Sequence, residues 1–273
     1  MSNALPLSAL KNAGRQPALP LVLALPGEGD TLRLERLLRV LPNRRYVGVA
    51  LWRDAQGQAQ TVLAKLLVGP TAARHFEREK TGAALLAEQG LTTPRLLAAG
   101  FAVPVGGWLL SEYLADAQSL GERWQALEDA PSGSDAKAAQ ARILDEALAA
   151  IAQLHAKGLW QADLHLDNLL YQQGRLFLID GGGIRAATPG QPLPKALALE
   201  NLGVFFAQLP LRLEAELVHW LNVYLAAQPD SRLSLADRPA LHKAIARQRR
   251  LRLNDLLKKI GRDCTLFKVK KTG

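Results

Sequence analysis

The chain has 273 residues, a formal net charge of +9, a pI near 9.9 and 48% hydrophobic residues. That length accommodates one large domain or two modest lobes sharing a cleft, and the apolar fraction excludes wholesale disorder. The single cysteine, Cys264, excludes an intramolecular disulfide framework and a cysteine-rich zinc site, and it fits a reducing compartment.

Along the chain, Pro17 to Pro26 is apolar but short and broken by prolines. It falls below the ~18–20 residues that a membrane span needs and reads as an extended N-terminal segment. Next, Asp30 to Leu41 places Leu34, Leu37, Leu38 and Leu41 at helical spacing, with Asp30 as the expected N-cap. The period then changes. Tyr46 to Trp52 and Thr61 to Val68 are short, apolar and β-rich, and the polar turn Arg53 to Gln60 joins them as a hairpin. A helix is expected from Thr71 to Gln89, stopped by Gly90 and Pro94. Two strands follow, Leu96 to Phe101 and Gly107 to Tyr113. Glu128 to Asp135 reads as a loop, and Ala136 to Lys157 as a long helix ending at Gly158. Asn168 to Tyr171 and Leu176 to Ile179 are strand-like, and beyond Pro194 the chain reads as helical with a break near Pro229. The order predicts an α+β fold: an extension over 1–30, a β-rich lobe over 31–110 and a helical lobe over 111–273.

Eleven Lys and Arg residues crowd Lys243 to Lys271 against Asp255 and Asp263. Ile245, Leu253, Leu256, Leu257 and Ile260 recur there at near-helical spacing, which describes an amphipathic basic helix. A solvated face and a surface for anionic partners both fit it.

The chemistry concentrates between Gln161 and Gly183. Asp163 is followed five residues later by Asn168, and Asp180 ends an apolar strand before Gly181-Gly182-Gly183. Phosphoryl transfer needs an oriented hydroxyl, an acceptor for its proton and hard oxygen ligands for the metal that bridges the phosphates. One Asp as base and an Asn–Asp pair as ligands meet that need. His165 reads as a structural hydrogen-bonder in the same loop, and His155 likewise.

Asp163-Leu-x-x-x-Asn168 resembles the kinase catalytic loop, and Asp180-Gly181 resembles the start of the kinase metal loop. Leu154-His155-x-x-Gly158 upstream is similar to aminoglycoside phosphotransferases and their relatives. The resemblance implies a two-lobed protein-kinase-like fold using ATP and Mg²⁺. It implies Asp163 as the catalytic base and Asn168 and Asp180 as metal ligands. It also implies Lys65 on the α/β-phosphates, with Glu79 as its helix partner and Glu77 as the competitor. Glu79 stands 11 residues before Gly90 and 15 before Pro94, a small-molecule-kinase pattern. Leu63 would line the adenine pocket, and Ser111 to Leu114, including Glu112, would form the hinge.

Within that superfamily the chain resembles the bacterial lipopolysaccharide core kinases, which phosphorylate heptose or Kdo. The likeness lies in Leu41-Pro42, Lys65, Phe76 to Glu79, Thr93-Pro94-Arg95, the catalytic loop and Arg262 to Thr265. It implies a glycolipid acceptor, no nucleic-acid partner and a cytoplasmic enzyme, peripheral on the inner membrane through its basic C-terminus. A kinase of another small molecule or of protein, and a nucleotide-binding pseudokinase, are the alternative readings. Two departures stand out. Gln161 occupies the place usually held by His, and the turn before the hairpin reads Pro42-Asn43-Arg44-Arg45 with no glycine. Backbone amides and an arginine are expected to cover the phosphates there.

Overall fold

The computed structural model describes residues 4–26, 31–54, 56–129, 134–228 and 230–269, with side chains to 258. The fold is α+β. It divides into two compact units, 1–119 with 168–184, and 120–167 with 185–273.

The first unit is β-rich. Short strands β1 (Leu5–Pro6) and β2 (Leu21–Ala24) precede β3 (Thr31–Leu41), β4 (Arg45–Arg53) and β5 (Ala59–Leu67). Helix α1 (Ala72–Glu88) comes next, then β6 (Leu96–Ala102), β7 (Gly106–Glu112) and β8 (Gln118–Ser119). Seven of these strands form one sheet in the order β1-β2-β3-β4-β5-β7-β6. Side chains alternate across it. On β5, Val62, Ala64 and Leu66 are buried in a cluster with Leu7, Leu10, Leu23, Leu34 and Trp108. The opposite face carries α1, through Phe76 and Ala72 against Leu67 and Leu109. Lys65, out of step with the first set, therefore belongs to the face that carries α1.

Two expectations change here. Residues 31–41 form a strand, not a helix, and Asp30 lies outside the described residues. Leu32 and Leu34 are buried and Arg33 and Glu35 exposed, the alternation of a strand. Register shifts between Leu34 and Arg36 and between Leu37 and Arg39 then each insert an extra residue. The inward positions become Leu34, Leu37 and Val40, so two β-bulges reproduce the three-residue spacing of a helix. The N-terminal segment is likewise no detached extension: its Leu7, Leu10 and Leu23 are wholly buried in the core of the sheet.

The unit closes with a hairpin from later in the chain, β10 (Leu169–Gln172) and β11 (Arg175–Leu178), which forms a second sheet with β8. This hairpin bonds back to the segment before β6 through Leu178 N–H to the Thr92 carbonyl, 2.8 Å. The first unit therefore extends to Ser119 and regains 168–184, where the sequence placed a boundary at 110/111.

The second unit is mostly helical. It contains α2 (Leu120–Glu128), α3 (Ser134–Ala156), the short strand β9 (Leu159–Gln161), α4 (Lys195–Phe206), α5 (Leu217–Ala227) and α6 (Arg238–Val269). A further short strand, β12 (Ile184–Ala186), lies at the division. The expected loop at 128–135 and the break at Pro229 fall partly or wholly outside the described residues. Buried Leu144, Leu148, Ile151 and Leu154 line one side of α3. Gly158 ends it with a φ of +71°, and a Cβ there would lie 2.2 Å from the Thr188 carbonyl oxygen. Among the described residues no helix is long and apolar enough to cross a membrane.

The basic stretch on α6 is partly neutralised within its own unit. Arg247 pairs with Glu200 and Arg249 with Glu214. Residues 250–258 are exposed on every side of the helix, including Leu253, Leu256 and Leu257.

Candidate active site

Lys65 lies toward the C-terminal end of β5, paired with Val47 of β4 on one side and Leu109 of β7 on the other. Central placement between two strands fixes its backbone. Its ammonium meets Glu79 Oε2 at 2.5 Å and Asp180 Oδ1 at 3.3 Å. Glu79 comes from α1 and its side chain is only 6% exposed. Glu77, its competitor, points outward and is exposed. The second Glu79 oxygen, Oε1, accepts from the Arg45 guanidinium at 3.3 Å. Burial alone would push the Lys65 ammonium down, but the Glu79 and Asp180 carboxylates outweigh it and the net shift is upward. For Asp180, burial pulls up, but the charge and hydrogen bond of Lys65, aided by Arg45, hold its carboxyl below the usual range.

The β10–β11 hairpin positions the two expected metal ligands. Leu169 pairs with Leu178, and the Ile179 N–H donates to the Asn168 carbonyl at 3.0 Å. Residues 168 and 180 thereby flank the same end of the hairpin. Asn168 is buried, and Asp180 adopts a left-handed conformation with φ 66°. That conformation is uncommon outside glycine and is found preferentially at functional positions. The glycines that follow serve a packing purpose. A Cβ on Gly82 of α1 would lie 1.9 Å from the Gly181 carbonyl oxygen, and one on Gly182 would lie 2.8 Å from Glu79 Oε1. The metal loop and α1 thus meet backbone to backbone, directly beside Glu79.

An amide and an ionised carboxylate are hard oxygen donors of the kind Mg²⁺ accepts alongside phosphate oxygens and water. No cluster of three or more His, Cys, Asp or Glu suited to a metal occurs among the described residues.

The other residues expected to meet a nucleotide lie on β5 and at or just beyond the end of β7. Leu63 is two positions from Lys65 on β5 and pairs with Ser111. Glu112 ends β7 opposite Val62, and its N–H donates to the Arg95 carbonyl at 2.9 Å. Leu114, just beyond, is buried.

Asp163 belongs to the second unit and is described there. Its side chain is 83% exposed, with His165 Nε2 4.0 Å from its carboxylate. His165 Nδ1 stands 3.7 Å from Asp167. Asp167 is exposed, with 66% of its side chain accessible, and a Cβ on Gly121 at the start of α2 would meet its carboxylate. The segment around Asp163 is held through its backbone. Asn201 Nδ2 donates to the Gln161 carbonyl at 2.7 Å, and Gln208 donates to the Leu164 carbonyl. These amides, seven residues apart, leave the same side of α4 and its continuation. Behind Asn201 lies His155, wholly buried, with Nε2 3.0 Å from Asn201 Oδ1 and Nδ1 2.9 Å from the Tyr224 hydroxyl. Asn201 spends its N–H on Gln161, so its oxygen faces the His155 ring. Burial pushes the His155 pKa down to about 4, so the ring is neutral.

The structure thus brings together Lys65, Glu79 and Asp180, ties Asn168 to the same hairpin as Asp180, and sets Leu63 beside the residues expected as the hinge. It adds Arg45, Asn201 and Gln208. The sequence contained a partial sign of Arg45, in the arginine expected to replace the glycine loop. It contained none for the two amides.

No protein-family model matches the chain, and no curated protein does. Among solved structures, a match is found to one described as the structure of vaccinia related kinase 3. It is 16% identical with a TM-score of 0.39, covering 66% of this chain and 56% of that one.

Proposed function

We propose that this chain is an ATP- and Mg²⁺-dependent phosphotransferase acting on a sugar hydroxyl of the lipopolysaccharide inner core. The observation that carries the kinase reading is the Lys65 ammonium held between Glu79 and Asp180, at 2.5 and 3.3 Å. A strand lysine tethered by a helix carboxylate and placed against a metal-loop aspartate is what phosphate binding requires. Nothing in core packing calls for that combination.

In the proposed reaction, Lys65 binds the α/β-phosphates, while Leu63 and the Glu112 to Leu114 backbone receive adenine. Asn168 and Asp180 would hold Mg²⁺, which supplies charge neutralisation on the phosphates when bound. Asp163 accepts the proton of the acceptor hydroxyl as its oxygen attacks the γ-phosphorus, and ADP leaves. High exposure suits Asp163 to a bulky acceptor.

The acceptor class rests on the sequence resemblance and on charge. Exposed Arg250, Arg252 and Lys258 accompany exposed leucines on α6. Basic residues contribute about 1 kcal/mol each at an anionic surface. Several together favour a membrane-borne, negatively charged acceptor and a peripheral location.

The test is transfer of radiolabelled phosphate from ATP to purified lipopolysaccharide core, with aminoglycosides and generic protein substrates in parallel. Label on the core glycolipid alone is the expected result. Label on an aminoglycoside or protein would keep the kinase and overturn the acceptor. No transfer, together with tight nucleotide binding, would favour a pseudokinase.

A further inference from the structure

We infer that Arg45 is a phosphate-binding residue that substitutes for the missing glycine-rich loop. The inference rests on the kinase reading above and deepens it.

A glycine-rich loop works by presenting backbone N–H groups to phosphate. The turn between β3 and β4 is built differently. Asn43 makes its bend at φ 55°, and the Arg44 N–H is already spent on the Leu41 carbonyl at 3.0 Å. The Arg44 carbonyl accepts from Val68 N–H at 3.0 Å. Gly69 packs so closely that a Cβ there would lie 2.2 Å from the Asn43 carbonyl oxygen. The turn is therefore pinned to the start of α1 and is no open canopy of amides.

Arg45 follows immediately, as the first residue of β4. Its side chain is 20% exposed and its guanidinium is bonded to Glu79 Oε1 at 3.3 Å. The other Glu79 oxygen already holds Lys65 at 2.5 Å. One carboxylate thus carries two cations. Asp180 balances the second, with its carboxylate 3.3 Å from the Lys65 ammonium. Once Asp180 turns its charge to a metal, the pair Lys65 and Arg45 holds one positive charge more than Glu79 neutralises. A nucleotide phosphate chain is the ligand that uses this surplus. A guanidinium suits it, because its donors match two phosphate oxygens at once. Arg44, by contrast, has no such partner in the Glu79 cluster.

A purely structural arginine would affect every ligand equally, so the test reads the dependence on phosphate number. Adenosine, ADP and Mg·ATP are titrated by calorimetry into the full chain, its R45Q variant and its R45K variant. R45Q keeps an amide able to bond Glu79 but loses the charge. The expected result is unchanged adenosine affinity and at least a tenfold loss for Mg·ATP in R45Q, with R45K recovering part of it. Equal Mg·ATP affinity in R45Q and wild type overturns the role of Arg45 alone. So does a uniform loss across all three ligands. A wild-type chain whose affinity does not rise with phosphate number overturns the kinase reading as well. If R45Q fails to fold, R45K decides: a loss that grows with phosphate number while adenosine affinity is unchanged supports a phosphate-binding arginine, and wild-type Mg·ATP affinity or a uniform loss overturns it.

Discussion

The two units hold their functional residues by opposite means. In the first, charge does it: Lys65 and Arg45 converge on Glu79, and Lys65 reaches Asp180. In the second, neutral groups do it: Asn201 and Gln208 grip the backbone on either side of Asp163, backed by an uncharged His155. The difference fits what each would meet in the proposed reaction. A polyanion with its metal calls for charges placed in advance, because desolvating them afterwards is costly. A loop that has only to be positioned is better served by bonds whose strength is independent of salt. A removed charge should therefore alter stability and ligand binding together in the first unit. In the second, position and chemistry should separate.

The largest effect expected is on Asp163. D163A should lower phosphate transfer by about 10²–10⁴-fold, the usual worth of a general base. The thermal midpoint should hold, because the Asp163 carboxylate is 83% exposed. A midpoint shifted by many degrees would break the separation. K65M should do the reverse, costing about 3–5 kcal/mol in urea unfolding as a buried pair loses one member, along with most Mg·ATP affinity. Retained Arg45 on Glu79 places the cost toward the lower end. A stable K65M protein would show that the cluster is not coupled to the fold.

Acid provides the third comparison. His155 has its pKa lowered to about 4 in the folded chain, against ~6.5 when unfolded. The unfolded state therefore binds the extra proton first. The contribution of His155 is fully present above pH ~6.5 and is lost as pH falls toward 4, amounting to about 3 kcal/mol. An H155Q variant should show a flatter profile over that window, measured by denaturation at successive pH values. An unchanged slope would assign the acid sensitivity elsewhere. The smallest of the four effects is expected for G82A. Its new methyl must displace the Gly181 carbonyl, at about 1–3 kcal/mol for overpacking, and should weaken Mg·ATP binding through Asp180. Unchanged nucleotide affinity would separate α1 from the metal loop.

Much of the first unit was legible because its signals are local. The alternation of Val62, Ala64 and Leu66 around Lys65 marks a strand, and an apolar strand running into Asp180-Gly181 marks the turn whose carboxylate meets Lys65. The segment 31–41 misled because bulges at two points convert a strand's period into a helix-like one, and only pairing with β4 reveals them. The N-terminal leucines gave no sign of their destination, since burial against a sheet formed later in the chain leaves no periodicity of its own. Asn201 and Gln208 were silent for a related reason. Each bonds a backbone carbonyl some forty residues away, and a carbonyl has no residue identity to form half of a motif. Glu79 over Glu77 was decided by helical phase, which places Phe76 and Glu79 on the buried side of α1 and Glu77 outside.

The close seat of α1 on the metal loop has a consequence for how this chain can vary. A methyl group on Gly82 would lie 1.9 Å from the Gly181 carbonyl oxygen, and one on Gly181 would lie 2.8 Å from the Glu79 carbonyl oxygen and the Ala83 nitrogen of the same helix. They form a single constraint written at two distant places. Drift at either site is closed to every larger amino acid while the other backbone stays where it is. A change tolerated at one should be accompanied by a retreat of the whole helix, carrying Glu79 away from Lys65. The glycines after Asp180 are thus a record of contact, and their small size is the imprint of the helix that lies against them.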